Sequence, residues 1–312
     1  MSHFGSLSLD LDNEWSYLKI HGDAAWTDYP SYLDVVVPRV LEFLARRDLK
    51  ITFFVVGRDA AAPRNREALA QIARAGHELG NHSFSHEPWI AQASERDAYD
   101  ELARAHEAIA QSTGQAPVGF RGPGFASSPQ LLNALIRSGY RYDASDLATF
   151  IGPLARWYYF RQSQLDAAQR LERATLFGTF SDGLRPNRAH VKYAPAGSIV
   201  EIPVTTMPIV RLPIHCSYLH YIDAFSPVAA DRYFALAMSL CRAAGVRPSL
   251  LLHPLDFLGG DDVASLRFFP GMSRPSSEKL ASIARFLDIY QKSLEIVPMR
   301  EHARRTQALA AA

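Results

Sequence analysis

The feature that most constrains the fold is a regular alternation of strand-like and helix-like segments along the chain. Runs such as LSLDL (7–11), ITFFVVG (51–57) and PSLLLH (248–253) have the apolar, β-branched or alternating pattern that is typical of strands. Longer segments with apolar residues at helical spacing separate these runs. Strands that alternate with helices form parallel sheets, and seven or eight such units predict a closed or nearly closed α/β barrel.

The composition is that of an ordinary globular chain without a global charge preference. The 312 residues are 48% hydrophobic and carry 33 Lys and Arg against 32 Asp and Glu, a net charge of +1. These values predict one folded domain over residues 1–312 and no nucleic-acid partner. No run reaches the ~18 apolar residues of a transmembrane helix, and the N-terminus has no signal-peptide pattern, so a cytoplasmic location is expected. Two cysteines, Cys216 and Cys241, are expected to be reduced core thiols.

Reactive side chains gather at the predicted strand ends, where the active sites of α/β barrels lie. The candidates at these ends are Asp10, Asp12, His82, His86, Arg121 and His253. Taken singly, each has an ordinary structural explanation, such as a solvated strand edge, a surface ion pair or a core histidine. Their coincidence at several strand ends favours an enzyme.

A metal site is the first chemical hypothesis. In the segment GNHSFSHEPW (80–89), His82 and His86 are spaced as on one side of a helical turn, where two rings can bind one ion. Asp10 and Asp12 share one face of the first strand because side chains alternate across a strand. Two histidines and one carboxylate suit a catalytic divalent metal with open positions for water and substrate. Zinc is the default ion, and other divalent ions suit the same ligands.

Several motifs also occur together in a known order. The segments SLDLDNEW, ITFFVVG, AGHELGNHSFSHE, GFRGPGF, SGYRYDAS and LLLHPLDF resemble those of the polysaccharide deacetylase superfamily, the NodB-homology hydrolases. The resemblance is close over residues 6–145 and looser over 198–300. It implies a distorted (β/α)7–8 barrel, a metal held by one Asp and two His, and hydrolysis of an N-acyl group, usually the acetyl group of an amino sugar.

Site roles follow from the resemblance, position by position. Asp12, His82 and His86 resemble the metal ligands of the family. Asp10 resembles its general base, Arg121 the residue that orients the base, and His253 the general acid. The candidate substrate-binding residues are Trp15, Gly124 and Phe125, and the backbone N–H of Gly124 is a candidate for holding the oxyanion, since glycine allows close approach.

The chain also departs from the common family pattern. Leu11 separates Asp10 from Asp12, whereas many relatives have adjacent aspartates. The Asp-x-Asp subgroup that fits better, with Trp15 matching, includes intracellular enzymes and hydrolases of cyclic or lipid-linked amides. The usual late Asp and Trp motif is not evident, and the acid that tunes the general acid is left open among Glu201, Asp143 and Asp256.

Residues 147–222 are predicted to form an insertion in the barrel domain. Residues 147–197 carry seven basic residues against three acids, and TMPIVRLPIHCSYLHYI (206–222) is apolar, aromatic and broken by prolines. Two interpretations stay open: a lid that stacks on a sugar or meets a lipid phosphate, and an embellishment packed on the barrel. His215, Cys216 and His220 could mimic a second metal site, although no carboxylate accompanies them. The C-terminal REHARRTQALAAA (300–312) is expected to fray.

The sequence therefore predicts a cytoplasmic, metal-dependent hydrolase that deacylates an amino sugar, free or linked to a nucleotide or lipid. Peripheral membrane contact through the insertion is compatible with this hypothesis, and the expected location disfavours cell-wall peptidoglycan and external chitin as direct substrates. A ring-opening hydrolase of a small cyclic amide is one alternative. A catalytically silent carbohydrate-binding protein is another.

Overall fold

A computed structural model of the protein describes residues 3–163, 165, 170 and 178–310. The strands of the described residues form one curled sheet, in the spatial order β6-β7-β5-β4-β3-β2-β1-β8, with β9 also paired to β1. Their bounds are β1 (Phe4–Leu11), β2 (Thr52–Val55), β3 (Glu78–Asn81), β4 (Gly119–Phe120), β5 (Tyr142–Asp143), β6 (His190–Ala194), β7 (Gly197–Glu201), β8 (Ser249–Leu252) and β9 (Glu295–Val297).

The sheet is parallel apart from one hairpin, and its two ends nearly meet. Only β6 and β7 pair antiparallel among the described strands. Beyond β7, the Thr205 N–H donates to the Ser249 carbonyl at 3.0 Å, and the Ser249 N–H donates to Thr205 Oγ1 at 2.8 Å. These bonds tie the chain after β7 to the start of β8. The predicted distorted, nearly closed α/β barrel is therefore confirmed, whereas the β6 strand of the hairpin was not predicted.

Helices cover the outside of the barrel. Their bounds are α1 (Glu14–His21), α2 (Leu33–Ala45), α3 (Gly57–Ala61), α4 (Arg66–Arg74), α5 (Glu95–Thr113), α6 (Pro129–Arg137), α7 (Gly152–Gln162), α8 (Cys216–Phe225), α9 (Pro227–Ala243), α10 (Pro254–Phe257), α11 (Ser276–Ser293) and α12 (Met299–Ala310). None of the described helices combines the length and the hydropathy needed to cross a membrane.

Local sequence signals explain where helices begin and end. Helix α5 begins after Ser94, whose side chain accepts from the Asp97 N–H, and ends at Gly114 in the left-handed conformation. Helix α6 begins with Pro129 after the capping side chain of Ser128. A capping oxygen satisfies a free helical N–H, and glycine adopts positive φ at little cost, so these residues fix the helix bounds.

The two faces of β1 have different surroundings. Leu7, Leu9 and Leu11 belong to the large apolar cluster between the sheet and the outer helices. Ser8 and Asp10 alternate with them, are equally buried, and face the inside of the barrel. The strand therefore delivers polar side chains to the barrel interior while its leucines hold the helices in place.

The C-terminal segment is an ordered helix, so the expectation that it frays was wrong for the described residues up to 310. The N-terminus of α12 is anchored because the Met299 N–H donates to Thr52 Oγ1 at 2.8 Å and the Arg300 N–H donates to Glu78 Oε2 at 2.9 Å. Met299, His302, Ala303 and Thr306 form its buried face. Their spacing is that of an amphipathic helix, a signal present in the sequence.

We expect His302→Asn to flatten the dependence of stability on pH between about pH 6.5 and pH 5. Burial, reinforced by Arg247 and Arg305, lowers the pKa of His302 to about 3. In this range the unfolded state therefore takes up a proton that the folded state does not, and wild-type stability falls as pH falls. Removing this titration should reduce the slope by up to about 1.4 kcal/mol per pH unit. Denaturant unfolding of both proteins at several pH values measures it, and equal slopes would contradict the assignment.

Candidate active site

The candidate residues meet at one rim of the barrel because their strands are neighbours in the sheet. Leu9 pairs with Leu252, so the next positions, Asp10 and His253, lie side by side at the ends of β1 and β8. Neighbouring strands in a sheet lie about 4.8 Å apart, so residues at adjacent strand ends lie close together. Arg121, directly after β4, donates its N–H to the Asn81 carbonyl at the end of β3.

Asp12, His82 and His86 form the group that could hold a metal ion. Asp12 Oδ1 lies 3.0 Å from His86 Nε2 and 3.4 Å from His82 Nε2. All three residues are buried, and their ligand atoms lie within 4.8 Å of one another. Asp12 Oδ1 has no hydrogen-bond partner among the described residues. A buried carboxylate oxygen without a donor is costly unless a cation satisfies it, so the group fits a divalent ion.

The backbone sets the tautomer of His82. Its Nδ1 lies 2.7 Å from the Arg121 carbonyl oxygen, which can only accept a hydrogen bond. The proton therefore sits on Nδ1, and Nε2 presents a lone pair on the side of Asp12. A second hydrogen bond of this kind is what orients a metal-binding imidazole in proteins.

The two histidines do not share a helical turn, and that part of the prediction was wrong. Residues 82–87 form a loop in which Ser83 (φ 61°) and His86 (φ 55°) are left-handed. Their partners lie outside any helix: Asn81 Oδ1 accepts from the Ser83 N–H at 2.8 Å, and Ser83 Oγ accepts from the His86 N–H at 3.1 Å. The rings converge, with centroids 5.0 Å apart, because the loop folds back on itself.

The metal group is electrostatically coupled. Burial by itself would raise the pKa of Asp12, but the His86 and His82 side chains outweigh burial and hold this pKa well below its usual range. Burial would likewise lower the pKa of His82, but Asp10 and Asp12 outweigh it, and the pKa of His82 is raised. The Asp12 carboxylate is therefore ionised and attracts positive charge, which is what a cation site requires.

Arg121 and Asp10 form a buried ion pair beside this group. Arg121 Nη1 donates to Asp10 Oδ1 at 2.6 Å and to Ser8 Oγ at 2.8 Å, and its Nε donates to the Ala144 carbonyl at 3.0 Å. The guanidinium lies over the Phe54 ring, 4.4 Å from its centroid, and the residue is 0% exposed. These contacts fix the Arg121 guanidinium, and its hydrogen bond in turn restrains the Asp10 carboxylate.

Of the acids left open beside His253, the structure places Asp256 there. Asp256 Oδ2 accepts from the His253 backbone N–H at 2.8 Å, and Ser217 Oγ lies between the His253 ring and Asp256 Oδ1. Glu201 instead pairs with Lys192 at 2.8 Å, and Asp143 accepts a hydrogen bond from Ser145. The latter two acids belong to a separate buried charge cluster.

The candidate substrate-binding residues differ in exposure. Trp15 is only 1% exposed, its indole N–H donates to Asp59 Oδ1 at 3.0 Å, and its ring stands edge-on to His86 at 6.2 Å. Trp15 therefore packs against the loop of residues 82–87 and offers almost no exposed surface to a substrate. Gly124 is exposed and Phe125 half-buried, both with positive φ, in the turn that follows Arg121.

Sequence reasoning missed two tyrosines that contact Asp12. The Tyr17 hydroxyl donates to Asp12 Oδ2 at 3.4 Å, and the Tyr32 hydroxyl donates to the Asp12 carbonyl at 2.6 Å. Both residues are buried. In the sequence they look like core positions on helical segments, so no signal distinguishes them from packing residues.

The insertion contributes strands β6 and β7 to the sheet, and two of its basic residues are paired with acids. Lys192 on β6 pairs with Asp146 and Glu201 at 2.8 Å each, and Arg185 Nη1 lies 2.7 Å from Asp146 Oδ1. These basic residues are therefore not free to face a phosphate. Of the described residues, no set that includes His215, Cys216 and His220 has metal-binding geometry. Arg173 of the predicted basic excess lies outside the described residues.

Comparison with known proteins agrees with this geometry. Residues 25–142 match the family model of the polysaccharide deacetylases. The chain is 32% identical over 128 residues to a peptidoglycan deacetylase of Helicobacter pylori, which covers 41% of each protein. It is 31% identical over 96 residues to the peptidoglycan-N-acetylglucosamine deacetylase PgdA of Listeria monocytogenes, over 31% of this chain and 20% of that protein. The matches thus span less than half the length of these curated relatives.

The likeness in fold extends over nearly the whole chain. A solved structure of a putative polysaccharide deacetylase from Mycobacterium smegmatis superposes with a TM-score of 0.61 at 20% identity, covering 98% of this chain and 92% of that one. His82, His86 and Arg121 lie inside the family match, and Asp10, Asp12 and His253 complete the rim from outside it. The ordered motifs and the family match over residues 25–142 agree that this part of the chain is similar to the polysaccharide deacetylases.

Proposed function

We propose that this protein is a metal-dependent hydrolase that removes the N-acyl group, in the first instance acetyl, from an amino sugar. The observation that carries the proposal is the convergence of the Asp12, His82 and His86 ligand atoms beside the Asp10–Arg121 pair. The names of the relatives, which include an N-acetylglucosamine deacetylase, support an N-acetylated sugar as substrate class.

The side chains fit a divalent cation with zinc-type ligands. The partner-free Asp12 Oδ1 and the Nε2 atoms of His82 and His86 would hold it, and three protein ligands leave positions open for water and substrate. When bound, the ion supplies Lewis-acid polarisation of the amide carbonyl and a lowered pKa of water.

Asp10 takes the role of general base in this proposal. Arg121 donates to its Oδ1 and fixes the carboxylate plane, and the other oxygen is then the acceptor for a proton from the attacking water. Asp10 in β1 and Asp12 just after its end both act on the pKa of His82. Asp10 is therefore near the metal group without being part of it.

His253 takes the role of general acid. It is half-buried at the end of β8, next to the end of β1. It donates a proton to the amine nitrogen as the C–N bond breaks, so that the free amine and acetate leave as products. Base and acid then stand on neighbouring strands, which suits transfer across one amide group.

We further propose that the amino sugar is linked to a nucleotide or a lipid and that the protein acts in the cytoplasm. Side chains of the insertion support contact with a sugar face or a lipid, because several apolar ones are exposed: Leu154, Trp157, Phe180, Leu184, Ile209 and Val210. The role of residues 147–222 as a lid stays a prediction.

The experiment is to measure release of acetate and of free amine from a panel of N-acetylated substrates. The panel contains chitooligosaccharides, peptidoglycan fragments, nucleotide-linked and lipid-linked N-acetyl sugars, and a small cyclic amide. We expect release from at least one sugar with added divalent ion and none after chelation. Ring opening of the cyclic amide alone would favour the alternative hydrolase. Sugar binding without release by the metal-loaded protein would contradict hydrolysis.

A further inference from the structure

The segment 206–222 contributes a side chain that touches the candidate general acid. Ser217, the second residue of α8, places its Oγ 3.2 Å from His253 Nδ1 and 2.8 Å from Asp256 Oδ1. Nothing in the sequence motifs assigns this serine a function. It lies 36 positions from His253 along the chain, so the contact is visible only in the folded protein.

Among the three side chains, the hydrogen bonds have one consistent arrangement, whereas the cap contact of the His253 side chain with the Asp256 backbone N–H would need the other tautomer. A carboxylate oxygen accepts, so the Ser217 hydroxyl donates its proton to Asp256 Oδ1. The serine oxygen then has lone pairs left and accepts from His253 Nδ1–H. Neutral His253 therefore carries its proton on Nδ1, and its Nε2 is left for the substrate side.

Asp256 is held in place from the other side. Its Oδ2 accepts from the His253 backbone N–H, at the start of the short helix α10. The residue is 2% exposed. The carboxylate is thus fixed at both oxygens, one to the backbone of His253 and one to its ring through Ser217.

The other side chains that face this trio do not compete with Ser217. Burial lowers the pKa of His215 to about 4, with His253 adding to the effect, and burial lowers the pKa of His220 to about 4. Both rings are therefore neutral at pH 7. His220 Nε2 is 3.9 Å from Asp256 Oδ1, beyond hydrogen-bond range. Asp10, on the neighbouring strand end, is paired with Arg121.

We propose that Ser217 is a positioning residue that fixes the tautomer of His253 and connects the ring to Asp256. The inference rests on the proposed function in that His253 is the acid whose proton reaches the leaving amine. It gives the apolar segment 206–222 a positioning role at the site, in addition to the packing of its Ile214, Cys216 and Leu219 in the large apolar cluster.

The hydrogen-bonded chain from His253 through Ser217 to Asp256 is intact in both protonation states of His253. When Nε2 gives its proton to the amine, the ring changes from a cation to the neutral Nδ1–H form. The bonds Nδ1–H to Oγ and Oγ–H to Oδ1 persist throughout, and no proton leaves the serine. Asp256 stabilises the cationic ring before transfer and keeps the neutral ring in the reactive orientation afterwards.

The test compares Ser217→Ala with Ser217→Thr in the metal-loaded protein. Nitrogen-15 NMR of labelled histidine, with the His253 signals assigned from a His253→Gln variant, reports the tautomer without any substrate. We expect Nδ1–H in the wild type and in Ser217→Thr, which keeps the hydroxyl. Ser217→Ala should show the Nε2–H form or a mixture.

The second measurement is the steady-state kinetics of the same variants. Ser217→Ala should lower kcat about tenfold or more, with KM nearly unchanged, because an orienting partner of an acid–base histidine is lost. Ser217→Thr should restore most of kcat. Ser239→Ala, which removes an exposed helical hydroxyl that donates to the Ala235 carbonyl, is the matched control and should leave kcat and the His253 signals unchanged.

The two failures are distinguishable. An unchanged tautomer and kcat in Ser217→Ala would overturn the positioning role even if the protein is an active deacetylase. A tautomer change in a wild-type background that hydrolyses no substrate would support the contact between Ser217 and His253 and refute the proposed function instead.

Discussion

Asp10→Asn is expected to lower kcat for acetate release by roughly 10²–10⁴-fold, the range that a positioned general base contributes. The asparagine has the same shape, and its oxygen can still accept from Arg121 at the position of Asp10 Oδ1. It cannot take a proton from water, so the substitution removes the chemistry while keeping the packing. KM should change little, because ground-state binding does not use this proton transfer.

The matched control is Asp100→Asn, an exposed carboxylate on α5, which should retain wild-type kcat. Metal binding by Asp10→Asn, measured by calorimetry on the stripped protein, should be retained because Asp10 is not in the ligand group. A variant with normal metal affinity and near wild-type kcat would exclude Asp10 as the base.

The second large effect is expected from Asp12→Ala, which should weaken divalent-metal affinity by more than about a hundredfold. Loss of an outer partner of a metal ligand already costs about 10–100-fold, and Asp12 is proposed as a ligand itself and as the anionic member of the set. Competition with a chromophoric chelator measures the affinity, and acetate release should fall in parallel.

Asp12→Asn provides a second variant because removal of a buried side chain can also impair folding. It keeps the volume and an oxygen beside His82 and His86, and should bind metal more weakly than wild type but more tightly than Asp12→Ala. Thermal unfolding of each protein checks that it is folded. Unchanged affinity in both folded variants would place any metal elsewhere.

The barrel could be predicted because the sequence periods of strands and helices differ and recur along the chain. The β6–β7 hairpin could not, since HVKYA (190–194) is short and half-buried without clean alternation. The order of the C-terminal helix could have been read from the spacing of Met299, His302, Ala303 and Thr306. The charged residues around them masked that pattern.

The identities of the candidate residues could be predicted from motifs, but their contacts could not. His82 and His86 converge through two left-handed residues of a loop, which sequence spacing alone cannot distinguish from a helical turn. Asp256 lies beside His253 because it is three positions further along the chain, in the first turn of α10. The contacts of Ser217 with both residues join distant positions and are set by tertiary structure.

The most direct test of the account is to locate the metal in the protein loaded with one divalent ion. Anomalous scattering from a crystal, with X-ray absorption on the same sample, gives position and ligands together. We predict one ion per chain bound by Asp12, His82 and His86, with imidazole nitrogens at about 2.0–2.1 Å if the ion is zinc. A metal-replete crystal with no ion at these side chains, or with the ion bound at other residues, would contradict it.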